Sequence, residues 1–245
     1  MAEITRVADG YFGGRSLVQQ SGSKGGARHV FVKFDDIKDD LVFPTFGGQV
    51  KNPFPGAAKI YAGDLMEFRT KDDGLQGEVY ILKTYKAVSA SSTTLNIERD
   101  GYKHIPFIGD KIGIAPDAVG GAMTTATIVA ITKTTVDNKP VWALTMDKAL
   151  TVTAGDVLVE ADENDKMLVK NINAMAAWDY DFMWSQAADP TDEDEFEAAR
   201  YFLTPVLRGT TYISKMSPMP QCVLDMNLSN INGWFRLDAL NKPTV

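Results

Sequence analysis

A chain of 245 residues, 44% hydrophobic and 23% charged, is long enough for one large β-domain or two modest ones with a real core. A net charge of −7 argues against a dedicated nucleic-acid binder, and no run approaches the roughly 20 apolar residues that cross a bilayer. The single Cys222 rules out an intrachain disulfide framework and fits a reducing compartment; Met1 to Arg6 lack the basic and apolar regions of a signal peptide, so the expectation is a soluble, intracellularly made protein.

Residues 1–60 read as a Gly-rich N-terminal arm and an irregular Pro/Phe loop. Asp9-Gly10, Gly13-Gly14 and Ser21-Gly22-Ser23-Lys24-Gly25-Gly26 interrupt any regular element. Residues 1–30 are therefore either a flexible arm or an extended segment that orders on a neighbour. His29 to Phe34 is predicted as a short strand. Pro44, Pro53 and Pro55 exclude the following segment from a central strand, yet Phe43, Phe46 and Phe54 need cover. These three phenylalanines are interface candidates.

Residues 61–161 read as tandem β units. Leu65, Glu67 and Arg69 alternate with Met66, Phe68 and Thr70, and Val79 opens a strand predicted to run towards Val88. A second unit begins at the β-branched run Ala126 to Thr132, turns at Val136 to Pro140, and places Trp142, Leu144 and Met146 on one face. One short phrase recurs: Ala62-Gly63-Asp64, Ile108-Gly109-Asp110 and Ala154-Gly155-Asp156. Its glycines lie 46 residues apart, twice, which points to a repeated supersecondary unit. The economical role for the Gly-Asp pair is a turn, with glycine taking the strained dihedral and aspartate bonding nearby amides. Asp64, Asp110 and Asp156 are then residues of the fold rather than of a site.

Residues 162–245 read as a C-terminal α+β part containing one principal helix. Trp178, Tyr180, Phe182 and Trp184 recur at a period of two, giving one aromatic face and, through Asp179 and Asp181, one mostly acidic face. Thr191 and Asp194 have capping-box spacing, the acids from Asp192 suit a helix N-terminus, and Phe196, Ala199 and Leu203 share a helical face that Pro205 ends. Gln221 to Met226 is predicted as a strand. The fold class expected is mainly β, with small barrel or sandwich units.

Charge is unevenly spread. Residues 1–33 carry five basic side chains against two acids, whereas residues 156–197 carry thirteen acids against two lysines. Opposed ends suit head-to-tail contact between copies, and solvated surfaces explain them as well.

No catalytic constellation emerges. His29 and His104 stand in unrelated contexts, and a cryptic hydrolase would need one of them within reach of Cys222 or a serine. There is no His/Cys zinc spacing, no phosphate-cradling glycine loop and no cofactor signature. Asp162-Glu163-Asn164-Asp165 lacks the ligand spacing of a calcium loop and reads as a solvated hairpin turn. The stripe Trp178, Tyr180, Phe182 and Trp184 is a core or subunit interface, or, if exposed, a sugar-stacking platform.

Tandem β units with a Gly-Asp turn, in an acidic, cysteine-poor chain with Gly-rich arms, resemble tailed-bacteriophage virion proteins. Ala149 to Glu160, read as Ala-Leu-Thr-Val-Thr-Ala-Gly-Asp-Val-Leu-Val-Glu, looks like segments of head-fibre and head-decoration proteins of the crAss-like group. The resemblance covers roughly residues 60–180 and carries over no catalytic residue. It implies a non-enzymatic, oligomeric head-fibre or auxiliary decoration subunit, made in the host cytoplasm and resident in the virion. Its partners would be the major capsid protein, other virion subunits and itself as dimer or trimer, with no nucleic acid, membrane, metal or cofactor. On this expectation a chain lacking residues 2–28 folds but no longer joins particles. The alternative is a carbohydrate- or receptor-binding β module that uses the aromatic face.

Overall fold

The computed structural model describes residues 48–52, 59–61, 63–70, 77–99, 104–176, 180–181, 202–203, 205–206 and 218–226, with the strand backbones at 15–20, 29–34, 209–212 and 235–238. The chain is mainly β. Its strands are β1 (Arg15–Gln20), β2 (His29–Phe34), β3 (Gly48–Val50), β4 (Lys59–Ile60), β5 (Leu65–Thr70), β6 (Gly77–Ile81), β7 (Thr84–Ser91), β8 (Thr94–Glu98) and β9 (Lys111–Ile114). They continue as β10 (Thr125–Val136), β11 (Lys139–Met146), β12 (Val157–Glu160), β13 (Ala174–Ala176), β14 (Tyr180–Asp181), β15 (Phe202–Leu203), β16 (Pro205–Val206), β17 (Gly209–Tyr212) and β18 (Phe235–Asp238), and among the described residues one short helix, α1 (Gln221–Asp225), precedes β18.

Strands β7 to β12, drawn from both expected units, close into a single barrel, whereas β5 and β6 of the first unit join a separate sheet. The barrel's strand order is β10-β11-β8-β7-β12-β9, and every pairing is antiparallel. Closure removes the unpaired edges that an open six-stranded sheet would expose. The interior is filled by Tyr85, Ala87, Leu95, Ile97, Ile112, Ile128, Leu144 and Leu158 with their neighbours. Trp142, Leu144 and Met146 do share the inward face. Asp137 and Asn138, with φ of +50° and +62°, form the two-residue connection between β10 and β11, where both central residues need positive φ. Bulges at Val88 and Val129 shift the register of β7 and β10, and Val129 is turned half out to solvent.

Beside the barrel lies a six-stranded sheet ordered β15-β3-β6-β5-β13-β16, in which only β3 and β6 run parallel. Both faces of β5 are covered. Leu65 packs with Leu82, Val159, Met175 and Val223, and Met66 packs with Val79, Ile81 and Ala174. β4 pairs with β14, and β1-β2-β17-β18 form a four-stranded sheet. Strand pairing thus links residues before 61 and after 161 to each other and to the segment between them.

Three sequence expectations change. Arg15–Gln20, expected within an arm, is a strand paired along its length with β2, the strand expected at His29–Phe34. Gln221–Asp225, expected as a strand, is helical: Pro220 precedes it in extended geometry, and the adjacent Cys222 and Val223 are both buried, which an alternating strand would not allow. The helix expected from Thr191 lies outside the described residues up to 201, and Phe202-Leu203 at its predicted end form β15.

The Gly-Asp phrase is one turn used three times. Gly63, Gly109 and Gly155 have φ of +89°, +94° and +96°, the left-handed geometry that a type II turn needs at its third place. In each copy the aspartate N–H donates to the residue three back: Asp64 to Tyr61 O at 2.9 Å, Asp110 to Phe107 O at 3.1 Å, Asp156 to Thr153 O at 3.2 Å. The carboxylate returns the bond, accepting from Tyr61 N–H and Thr153 N–H at 2.8 Å and from the Phe107 amide. Each copy then docks on a neighbouring strand through a reciprocal pair. Gly63 exchanges bonds with Ala176, Gly109 with Ile128 and Gly155 with Ala87, the neighbour's N–H reaching the aspartate carbonyl at 2.9 Å every time. The turn therefore launches β5, β9 and β12 already in register.

Candidate functional site

Strand parity decides what sits at one end of the barrel. Tyr85 on β7, Ile112 on β9 and Leu158 on β12 face inward. Two residues further towards the same end, parity turns Lys83, Asp110 and Glu160 inward as well. The register agrees, since Thr84 pairs with Val159 and Ile112 pairs with Glu160. β12 lies between β7 and β9, so the barrel's end layer is an ammonium and two carboxylates on three adjacent strands.

All three are buried, and Lys83 is fully so. Lys83 Nζ lies 2.6 Å from Asp110 Oδ2 and 3.2 Å from Glu160 Oε2. Asn52, just beyond β3, completes the cluster. Its Nδ2 donates to Glu160 Oε2 at 2.8 Å and to Ile81 O at 2.7 Å, while its Oδ1 accepts from Ile81 N–H at 2.9 Å. Burial pushes the Glu160 carboxyl up, Lys83 pulls it down and Asp110 adds to the rise, leaving it at about 7. Burial also raises Asp110 against the pull of Lys83. Burial disfavours the Lys83 ammonium, but the two carboxylates outweigh it and hold its pKa above the usual value. Tyr85, the layer beneath, is pushed well up by burial and by both acids, and its hydroxyl finds no hydrogen-bond partner among the described residues.

A second buried pair adjoins the first. His104 Nδ1 accepts from Thr84 N–H at 3.0 Å, and Nε2 lies 3.3 Å from Asp64 Oδ2. An Nδ1 that accepts leaves the ring proton on Nε2, which donates to Asp64. Neither nitrogen is left to take a proton from a nucleophile, which removes His104 from the hydrolase reading. His29 opens β2. Cys222 is buried on α1, where burial pushes its thiol up and makes it a poor nucleophile.

Two surface clefts, of about 400 and 610 Å³, share a wall formed by Glu160, Ala161, Asp162 and Glu163. The first runs along Arg69, Tyr80 and Lys170. There Arg69 grips Glu67 with two hydrogen bonds of 2.8 Å, stacks 3.9 Å from the Tyr80 ring, and leaves Glu67 Oε2 to accept from Lys170 N–H. Burial alone would raise Glu67, but that grip and the Lys170 amide hold it below the usual carboxylate value. The second runs along Phe107, Gly109, Asp110 and Thr127.

The acidic turn at 162–165 is a solvated hairpin. Asp162 Oδ1 accepts from Asn164 and Lys166 N–H, Asp162 pairs with Lys170 at 2.9 Å, and Asp165 pairs with Lys111 at 2.7 Å and accepts from the Thr125 hydroxyl. Among the described residues no group of three or more His, Cys, Asp or Glu is arranged to hold a metal ion.

Of the interface candidates, Tyr180 lies on β14 opposite Ile60, and Phe43, Phe46, Phe54, Trp178, Phe182 and Trp184 fall outside the described residues. Sequence reasoning missed Lys83, Glu160 and Asn52. It placed Asp64 and Asp110 in the turn, where they are, without the buried partner, His104 or Lys83, that each also meets. The signal was parity: extending the inward faces of Tyr85, Ile112 and Leu158 by two residues reaches the triad. Searches against protein-family models, curated proteins and solved structures returned no match.

Proposed function

We propose that the chain is a non-enzymatic structural subunit of a tailed-bacteriophage head, an oligomeric head-fibre or auxiliary decoration protein that binds the capsid surface. The observation that carries the reading is the filled barrel. Its interior is packed with apolar side chains and its buried charges are bonded to one another. Such a barrel holds a shape and presents outer surfaces, rather than enclosing a small ligand. The phrase at Ala149 to Glu160 and the contrast between a basic N-terminal region and the acidic stretch 156–197 support contact between like copies and with a shell. Many weak contacts multiplied over symmetric copies then give avidity.

Mass spectrometry of purified particles of the phage that encodes the chain tests this. The chain is expected in fixed ratio to the major capsid protein, and light scattering of the purified protein is expected to give a dimer or trimer. Presence in the infected lysate with absence from the particles would end the reading. Because β1 belongs to a sheet, the arm is tested by deleting residues 2–14 rather than 2–28: a folded chain that no longer joins particles is the outcome expected.

A further inference from the structure

We propose that Lys83 and Asp110 condense to an intramolecular amide cross-link, with Glu160 as the proton relay. The proposal is independent of the phage reading. It rests on the end layer of the barrel, where an amine and a carboxyl group are held 2.6 Å apart, both buried, with a second carboxyl group 3.2 Å from the amine. The acid's carbon lies one bond beyond the contacted oxygen, so the amine is held next to the carbon it would attack. Each partner is fixed independently of the others. Asp110 is held by its turn, Glu160 by Asn52, and Lys83 lies in the short link where β6 ends at Ile81 and β7 begins at Thr84.

The step balances without any co-reactant. In the resting cluster the ammonium of Lys83 donates to the Asp110 carboxylate. Moving that proton along the short contact yields a neutral amine beside a neutral acid. The amine lone pair then attacks the Asp110 carboxyl carbon and forms the N–C bond. The Glu160 carboxylate takes the proton that the nitrogen sheds and returns it to the departing hydroxyl. The C–O bond breaks and water leaves. One ammonium and one carboxylate become one amide and one water.

Burial supplies the direction. In water the ions are favoured, whereas in the barrel both pay for lost hydration, and the neutral amide does not. The Tyr85 ring closes the layer beneath, and Glu160 borders both clefts, which gives the released water a way out. The raised Glu160 carboxyl suits a group that must both accept and return a proton near neutral pH. The product would tie the start of β7 to the start of β9 across β12, closing the barrel covalently.

Intact-protein mass spectrometry of the purified full chain, held at neutral pH, tests the step. The mass expected is that of the sequence less one water, and tandem spectra of the digest should show the Lys83 peptide joined to the Asp110 peptide, with no tryptic cleavage after Lys83. Glu160→Gln should fold, as read by circular dichroism, and keep the full sequence mass. A wild-type mass equal to that of the sequence overturns the proposal. So does a lost water that maps to a cyclised Asp-Gly bond such as Asp73-Gly74 or Asp100-Gly101. A Glu160→Gln chain that cross-links as completely as wild type overturns the role given to Glu160.

Discussion

The turns at Asp110 and Asp156 are the same device in two settings. Both put glycine at φ near +95°, both bond back three residues, and both dock on a neighbouring strand with a reciprocal pair. Asp156 is only half-buried, and its carboxylate closes the loop on Thr153 N–H. Asp110 is buried and its Oδ2 meets Lys83. The difference teaches that a repeated backbone solution fixes where a side chain goes, and the surroundings then decide what that side chain does. Asp64, the third copy, makes the same point with His104 in place of lysine.

Removing the cation should break the comparison most severely. Lys83→Met leaves Asp110 and Glu160 buried without their counter-charge, and about 3–5 kcal/mol of stability should be lost, read as the urea midpoint. An unchanged midpoint would mean that the triad is solvated rather than buried.

pH sharpens the contrast. The Glu160 carboxyl lies at about 7 in the folded chain against an ordinary 4.5. Between those values the folded state binds more protons than the unfolded one, so this group lowers stability as pH rises through the window. Asp110, raised for the same reason, adds to that slope from its own lower starting value. Glu67 acts in the opposite sense: its folded carboxyl lies below 4.5, so its contribution is present above that value and lost as pH falls through the folded one. Maximum stability is expected near pH 4.5, at the acid end of that window, where the Glu67 contribution is complete and the Glu160 decline begins. Glu160→Gln should flatten the decline on the alkaline side, and urea midpoints at about pH 5 and about pH 8 check it. In a cross-linked chain Asp110 no longer titrates and the buried Glu160 carboxyl alone carries the decline, with the same sign.

Gly109→Ala and Gly155→Ala isolate what the two turns share. An added methyl meets nothing within 4 Å at either position, so the cost is that of the positive φ alone. About 1–2 kcal/mol is expected, and the same at both sites within error of thermal unfolding. Lys86, by contrast, pairs with Glu98 at 3.6 Å on the exposed outer face. Lys86→Ala should cost less than about 1 kcal/mol, the ordinary worth of a solvated pair.

Much of the barrel was legible from local pattern. Trp142, Leu144 and Met146 announce a face, and Asp137-Asn138 announce a connection, because strand alternation and turn dihedrals are written into neighbouring residues. The 46-residue glycine spacing marked the turns before their geometry was known. Ring closure was not legible, because β7 meets β12 and β9 meets β12 across separations that no local pattern encodes. The strand predicted from Val79 towards Val88 breaks at Leu82-Lys83 for a long-range reason: Leu82 N–H bonds Leu65 O in the sheet, while Lys83 turns into the barrel. The bulges at Val88 and Val129 also reset parity without any proline or glycine to mark them. Gln221–Asp225 misled because its apolar residues fit either period, and only burial of the adjacent Cys222 and Val223 separates them.

Urea unfolding of Asp110→Ala beside Asp156→Ala separates the turn from its surroundings. Both substitutions delete a turn carboxylate. If a shared turn acquires its weight from what surrounds it, Asp110→Ala should cost about 3–5 kcal/mol and Asp156→Ala about 1. Equal losses at the two positions would contradict the account, because the buried charge at the barrel's end would then add nothing to the turn.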